Sequence, residues 1–357
     1  MEASLQMPVG ARSIEEFMGS VAVELAAAAS TALAIVGDRL GLYRALAQAG
    51  ALTSSELAAR TGCAERYVRE WLSNQAAGGW VLFDESSEKF SLPPTHAAVI
   101  AEEESPVFLG GSLQVVGAMF ASLDLLCEAF RTGDGIGWAE HHADLHDGAA
   151  RFFRTACAAY LPQWVEELDG VADRLRAGGR IADVGCGQGG GAIALAKAFP
   201  AARVVGLDSH GPSIEKARAA AAAAGVADRV AFIGSPASDL EVGEFDLVTM
   251  LDCLHDMGDP VGAASAARAA LVADGALLLV EPAAGDRLVD NFNPTGRMYY
   301  ASSTAFCTPC ALAQDGGWAL GNQAGESRLR DVLARAGLKR VEVVAQTPFQ
   351  LVLGGRP

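Results

Sequence analysis

Three groups of residues in this 357-residue chain have the types and spacing to do chemistry. The first is Asp183-Val-Gly185-Cys-Gly187-Gln-Gly189. Here an apolar run, Arg180 to Val184, breaks into alternating glycines and then an Ala/Leu-rich stretch, Ala192 to Phe199. Glycines at such a break permit a tight turn and let a ligand approach bare backbone, while the free N–H groups of a following helix favour an acidic or polar ligand group. The second is Asp208, 23 residues beyond Gly185, where a carboxylate can accept both hydroxyls of a ribose. A cap for the next helix is the plainer reading of that aspartate. The third is Leu251-Asp-Cys-Leu-His-Asp-Met257. His255, with Asp256 and Asp259 near it, is suited to take a proton from a hydroxyl; a buried or capping histidine is the alternative. Glu281 closes a later apolar run and is placed to position a substrate or the imidazole.

Two further clusters raise metal chemistry. Trp138-Ala-Glu-His-His-Ala-Asp-Leu-His146 holds three histidines and two acids in nine residues. A metal there would use His141, His142 or His146, the last two sharing a helix face. No further His or Cys follows nearby at ligand spacing, so a polar turn, or histidines bonding a substrate, is preferred and no metal is assigned. Cys307-Thr-Pro-Cys310 has C-x-x-C spacing, but no second pair completes a zinc site, so the two read as buried or pocket-lining thiols.

The elements that must position these residues follow from periodicity. From Arg180 onward strands and helices alternate at α/β spacing. Strands read as 180–184, 203–207, 230–234, 245–251, 276–281, 339–345 and 349–354; helices read as 191–199, 213–224, 261–271 and 326–336. In an open parallel sheet, ligands bind at the carboxyl ends of the strands near the switch in strand order. Asp208, His255 and Glu281 sit at such ends, and Ser235-Pro-Ala237 follows the third strand where a base ring would lie.

Upstream, 13–49 has helical periodicity behind a Ser13/Glu16 capping box, and Thr53-Ser-Ser-Glu56 is a second box. Leu25, Ala28, Ala32 and Val36 form a face of small residues that suits a domain core or a dimer partner. A helix to Arg60, a turn at Thr61-Gly-Cys, a helix over 64–75 and a hairpin over 78–92 make a winged helix-turn-helix. Arg66 and Arg69 on its second helix invite a DNA-binding reading. Against it, residues 1–105 hold seven basic and fourteen acidic residues, and Glu65, Glu70 and Trp71 suit a protein–protein face. Residues 107–130 read as one long apolar helix or two, and Arg151-Phe-Phe-Arg154 with Tyr160 begins a helix to Leu175, bent at Pro162. Phe152, Phe153 and Tyr160 then lead toward the glycine turn, with core packing the alternative for the two phenylalanines.

Composition bounds the partners. Half the chain is hydrophobic and the net charge is −16, which argues against a polyanion. Met1-Glu-Ala-Ser-Leu5 lacks the basic-then-apolar order of a signal peptide. Val21 to Val36, interrupted by Glu24 and rich in alanine, reads as a packed helix and not a membrane span. Seven cysteines without regular spacing imply reduced thiols in the cytoplasm.

Together, Asp183 to Gly189, Asp208 and Leu254-His-Asp256 at this spacing resemble class I S-adenosylmethionine-dependent methyltransferases. The His-Asp pair is similar to that of plant-type small-molecule O-methyltransferases. Tyr67-Val-Arg-Glu-Trp-Leu72, Asp252 to Pro260 and Gln323-Ala-Gly-Glu326 resemble a bacterial set of two-domain winged-helix methyltransferases, and the likeness runs from about residue 30 to the C-terminus. Met257 stands where the plant enzymes have a tryptophan that stacks on adenine.

The resemblance implies a Rossmann-like seven-stranded sheet behind a mainly α winged-helix domain. The domains would be 1–105 for winged helix and dimerisation, 106–165 for a helical connector lining the pocket, and 166–357 for the cofactor domain. S-adenosyl-L-methionine would be held by Asp183, Gly185, Gly187 and Gly189, by Asp208 and Ser209, by Ser235, Pro236 and Ala237, and by Asp252, Cys253 and Tyr160. His255 would be the catalytic base, helped by Asp256 and Glu281. Phe152, Phe153, His142, Asn293, Tyr299 and Tyr300 would line the substrate pocket. The expected activity is methylation of a small molecule, at oxygen first of all, by a homodimer joined through the N-terminal domain, with neither nucleic acid nor membrane as partner. The alternatives are a ligand-binding winged-helix regulator, a nicotinamide-dependent oxidoreductase on the same sheet, and a metal-assisted C- or N-methyltransferase.

Overall fold

The computed structural model describes residues 12–357; the expected absence of a leader at Met1–Leu5 falls outside them. Contacts divide the chain into two units, one running to residue 118 and including 143–155, the other comprising 119–142 and 156–357. The stretch expected as a connector is shared between them.

In the first unit both capping boxes form. Ser13 and Thr53 each accept from the backbone three residues on, and Glu16 and Glu56 reach back. The helix expected over 13–49 divides into Ile14–Arg39 and Leu42–Ala49, because Gly41 between them adopts φ 69°. Helices Ser54–Thr61 and Glu65–Ala77, strands β1 (Leu82–Asp84) and β2 (Lys89–Ser91), paired antiparallel, complete the winged motif. Its core is Leu42, Leu46, Leu57, Leu72 and Tyr43, with Trp71 edge-on to Tyr43. The Trp71 indole donates to the Leu33 carbonyl at 2.9 Å and lies so close to Gly37 that no side chain fits there.

Within its own unit the helix expected to be packed around Val21–Val36 is buried only toward its end, at Ala34, Ile35 and Gly37. In Ile14–Arg39 only 6% of the most apolar 18-residue window is buried, and the helix is long and apolar enough to cross a membrane. Leu25, Ala28, Ala32 and Val36 are all exposed. The apolar face is real, but among the described residues nothing within its own unit covers it.

The apolar stretch 107–130 forms two helices, Gly110–Ala121 and Leu123–Thr132, bent 60° apart. The next helix also departs from expectation. It runs Ala143–Glu166 with Pro162 inside it, and a separate helix, Val171–Arg176, follows. Because it starts at Ala143, His142 precedes it and shares no helix face with His146. In the first unit Arg151 pairs with Asp38 at 2.8 Å and with Glu103 at 3.0 Å, and Arg154 joins Glu103 at 2.9 Å.

The second unit is built on a seven-stranded sheet: β3 (Arg180–Val184), β4 (Arg203–Leu207), β5 (Val230–Ile233), β6 (Phe245–Leu251), β7 (Leu271–Pro282), β8 (Arg340–Gln346) and β9 (Gln350–Arg356), in the order β5-β4-β3-β6-β7-β9-β8. The pairs from β5 through β7 are parallel, and β9 is antiparallel to both β7 and β8. The seven-stranded Rossmann-like expectation holds. β7 starts five residues earlier than read, because pairing with β6 carries through an irregularity despite Asp274-Gly275. Helices Gly190–Ala198, Gly211–Ala223, Pro260–Ala270 and Gly325–Arg335 connect the strands. Ala267, Leu277, Leu279, Val332, Leu333 and Leu353 form part of a continuous buried core. The winding reverses between β3 and β6, which is where such sheets bind ligands.

Candidate active site

At the end of β3 the backbone turns through Gly185 (φ 66°), Gly187 (φ 51°) and Gly189 (φ 82°) into helix Gly190–Ala198. A side chain on Gly185 would strike the Cys253 thiol, and one on Gly189 the Phe232 ring, whereas Gly187 borders open space. Asp208, just past β4, accepts from the Gly187 N–H and the His210 N–H, each at 2.8 Å. The glycine turn and this carboxylate are therefore one assembly. Asp208 does not cap helix Gly211–Ala223, whose N-cap is His210 with no side-chain cap bond; it holds the backbone of His210 ahead of that helix and reaches back to the turn.

Asp183 is buried and accepts from the Thr249 hydroxyl at 2.7 Å. Burial pushes its carboxyl up to about 6, against the opposing hydrogen bonds of Thr249 and the Ala192 N–H. Ser235 lies past β5, its hydroxyl oxygen buried without a hydrogen-bond partner, while Pro236 and Ser209 are exposed and Ala237 begins a short 3-10 turn. Cys253 donates to the Val184 carbonyl at 3.2 Å, locking the end of β6 to the end of β3. Asp252 has φ 55°, a left-handed conformation that few non-glycine residues adopt. Burial, together with the charges of Glu281 and Asp256, pushes its carboxyl up to about 7 although His255 opposes the shift. Tyr160 stacks on Trp164, ring centroids 6.0 Å apart.

These features fit an adenosyl amino-acid ligand. The open backbone at Gly187 leaves room for the ligand's own atoms, the Asp208 carboxylate offers acceptors to a sugar, and the Ser235 hydroxyl is an unmet hydrogen-bonding group where a base would lie.

His255 is almost wholly buried, at 1% exposure, in a 3-10 turn just past β6. Its Nδ1 meets Glu281 Oε2, and the other oxygen of Glu281 accepts from the Leu254 N–H at 3.0 Å. Its Nε2 lies 3.2 Å from Asp256 Oδ1. Burial alone would lower its proton affinity, but the Asp256 and Glu281 carboxylates overturn that and hold it well above the ordinary histidine range. The two carboxylates hold the ring as an imidazolium, so it acts as a proton acceptor once Nε2 has released its own proton, with Glu281 still orienting Nδ1.

Cys307, expected as a buried or pocket-lining thiol, is buried and stands beside this pair. A π-turn, Ser303–Cys307, carries its thiol to within 4.8 Å of the ligating atoms of both His255 and Asp256. Gln314 pins the same loop, donating to the carbonyls of Asp256 (2.8 Å) and Cys310 (3.0 Å). No sequence signal marks a π-turn here.

The expected pocket residues separate. Tyr299 and Tyr300 are half-buried on helix Pro294–Ser302, and the Tyr299 hydroxyl donates to the Phe349 carbonyl at 2.5 Å. Asn293 is exposed and committed to capping that helix, accepting from Gly296 at 2.8 Å. His142 is exposed. Phe152 and Phe153 belong to the first unit, where their rings meet edge to face at 4.9 Å. His141 is buried, edge-on to Phe306 at 5.3 Å.

Residues 28–102 match the Rv2258c-like winged HTH domain family, and residues 181–275 match a methyltransferase domain family. The 27-O-demethylrifamycin SV methyltransferase of Amycolatopsis mediterranei (strain S699) is 40% identical over 87 residues, a match that spans 24% of this chain and 32% of that relative. The SAH-bound methyltransferase CalO1 of calicheamicin biosynthesis is similar in fold, with TM-score 0.67 and 20% identity over 97% of this chain and 100% of that one. So is human N-acetylserotonin methyltransferase in complex with SAM, with TM-score 0.68 and 15% identity over 98% and 99% of the two chains.

Proposed function

We propose that this chain, which carries a methyltransferase domain behind a winged helix-turn-helix domain, uses S-adenosylmethionine to methylate a hydroxyl of a small apolar or aromatic acceptor. The observation that carries the reading is the placement of His255, clamped by Glu281 and Asp256 at the end of β6, on the same sheet edge as the turn that Asp208 closes. When bound, the cofactor supplies an electrophilic methyl on a sulfonium. The backbone at 185–189 would hold its amino-acid portion, Asp208 its ribose, and Ser235 its base. His255 would take the acceptor's proton through Nε2 while Glu281 keeps the ring oriented, and the burial of the site would keep water from competing.

The likeness to the 27-O-demethylrifamycin SV methyltransferase favours oxygen as the acceptor atom. The exposed face of Ile14–Arg39 supports a homodimer, and free thiols at all seven cysteines suit a reducing cytoplasm. A DNA-binding regulator has less support, since Arg66 and Arg69 are each engaged by a glutamate on their own helix, at 2.5 and 2.8 Å.

Calorimetry with S-adenosylhomocysteine against NAD tests the cofactor. His255→Ala tests the base: turnover should fall by about 10²–10⁴-fold while S-adenosylhomocysteine affinity persists. Retained turnover would remove His255 from the role.

A further inference from the structure

We propose that His255 Nε2, Asp256 Oδ1 and Cys307 Sγ form a three-donor site for Zn²⁺, and that the bound ion switches the proton acceptor off. The three ligating atoms lie within 4.8 Å of one another. The His255–Asp256 separation is already 3.2 Å, and a tetrahedral ion with Zn–N and Zn–O bonds of roughly 2.0–2.2 Å sets its ligands about 3.3 Å apart. Bringing Cys307 onto the ion then needs a shift of roughly 1 Å, given a Zn–S bond of about 2.3 Å.

Two independent features point the same way. Asp256 Oδ1 is buried with no hydrogen bond of good geometry, facing the His255 ring at 3.2 Å, so a metal ion can take the place of the ring proton between them. Glu281 on Nδ1 reproduces the carboxylate–histidine pairing that orients metal-bound imidazoles and raises their basicity. The donor chemistry selects the ion: thiolate with imidazole favours zinc over magnesium or calcium, which take oxygen ligands.

Charge balance is favourable. On binding, the Cys307 thiol gives up its hydrogen bond to Asn322, and the thiol and the His255 Nε2–H each release a proton to solvent. A dipositive ion then meets one thiolate, one carboxylate and a neutral imidazole, for a net charge of zero in a buried place. Three protein ligands leave a fourth position for water or a small anion. The Nε2 lone pair cannot hold the ion and accept a substrate proton together, so the ion-bound and base-competent states exclude each other. That last consequence rests on the proposed methyl transfer; the ion site itself does not.

The full-length protein, stripped with a chelator, is titrated with Zn²⁺ by calorimetry and with Co²⁺ by absorption. One ion per chain is expected, with tetrahedral ligand-field bands and a thiolate-to-cobalt charge-transfer band. Cys307→Ser should abolish the charge-transfer band and Asp256→Asn should weaken zinc binding, each with circular dichroism showing a retained fold. Glu281→Gln should weaken it about 10–100-fold. A wild-type protein without the thiolate band, or a folded Cys307→Ser that keeps it, overturns the site. Turnover should fall as zinc is added and return with chelator; full turnover in the zinc-loaded protein overturns the switch. Calorimetry with S-adenosylhomocysteine on the metal-free protein reports separately on the cofactor, so failure of the methyltransferase reading is distinguishable from failure of the ion site.

Discussion

Glu281, near the end of β7, holds both the ring of His255 and the backbone that carries it: one carboxylate oxygen meets Nδ1 and the other takes the Leu254 N–H at 3.0 Å. One side chain thus fixes the tautomer, the ring plane and the loop. Glu281→Gln keeps the shape but loses the charge and can present an N–H where an acceptor is needed. Its turnover should drop roughly 10-fold or more, with S-adenosylhomocysteine affinity close to wild type. Steady-state kinetics beside calorimetry reads both; equal losses in the two would make Glu281 a structural support of the cofactor site.

Asp208 should separate in the opposite sense. Its two oxygens already restrain Gly187 and His210, and a sugar would bind the acceptor capacity that remains. Hydrogen bonds to a charged group contribute about 1.5–3 kcal/mol, so Asp208→Asn should raise the S-adenosylhomocysteine dissociation constant by about 10–100-fold. Turnover at saturating cofactor should survive. Unchanged affinity would show that the carboxylate serves the turn alone.

Asp183 gives a pH signature independent of catalysis. Its ordinary value is 3.8, and burial raises it to about 6 in the folded chain. Between those values the native state binds the proton more tightly than the unfolded chain, so this residue's contribution to stability is fully present below about 4 and is lost as pH rises through 6. Asp183→Asn cannot ionise and lacks that loss. Across the window, wild type should lose about 2–3 kcal/mol relative to the variant, read from urea unfolding at each pH. Parallel pH profiles would show that the carboxyl titrates normally.

The parts of this site legible in sequence were those whose chemistry is local. Gly185, Gly187 and Gly189 announce a turn because their backbone conformations suit glycine, and Asp208 and His255 stand at strand ends that periodicity locates. The illegible parts depend on distant packing. Cys307 reaches His255 through a π-turn and Gln314 ties the loop from 58 residues away. The helix does pass through Pro162 as expected, but it stops at Glu166 and a second one begins at Val171. Asn293 is instructive, because Asn followed by Pro294 is itself a helix-start signal, and the capping role seen in the structure was available where a pocket role was expected.

Whether a partner covers Ile14–Arg39 decides the assembly. Met18 and Leu25 are 64% and 66% exposed and seven residues apart, hence on one face with Ala32 and Val36. Such a face gains roughly 1.5–3 kcal/mol per large side chain on burial, so in water it favours association. The small residues Ala28 and Ala32 between them permit a close helix approach, which suits a second copy of the same helix. Sedimentation of the wild type should give a dimer, and Met18→Glu with Leu25→Glu should give a monomer whose melting temperature is otherwise preserved. A wild-type monomer would refute the homodimer. Flotation with phospholipid vesicles addresses the other fate of an apolar helix: protein rising with the vesicles would make the membrane, and not a second subunit, the surface that this helix meets.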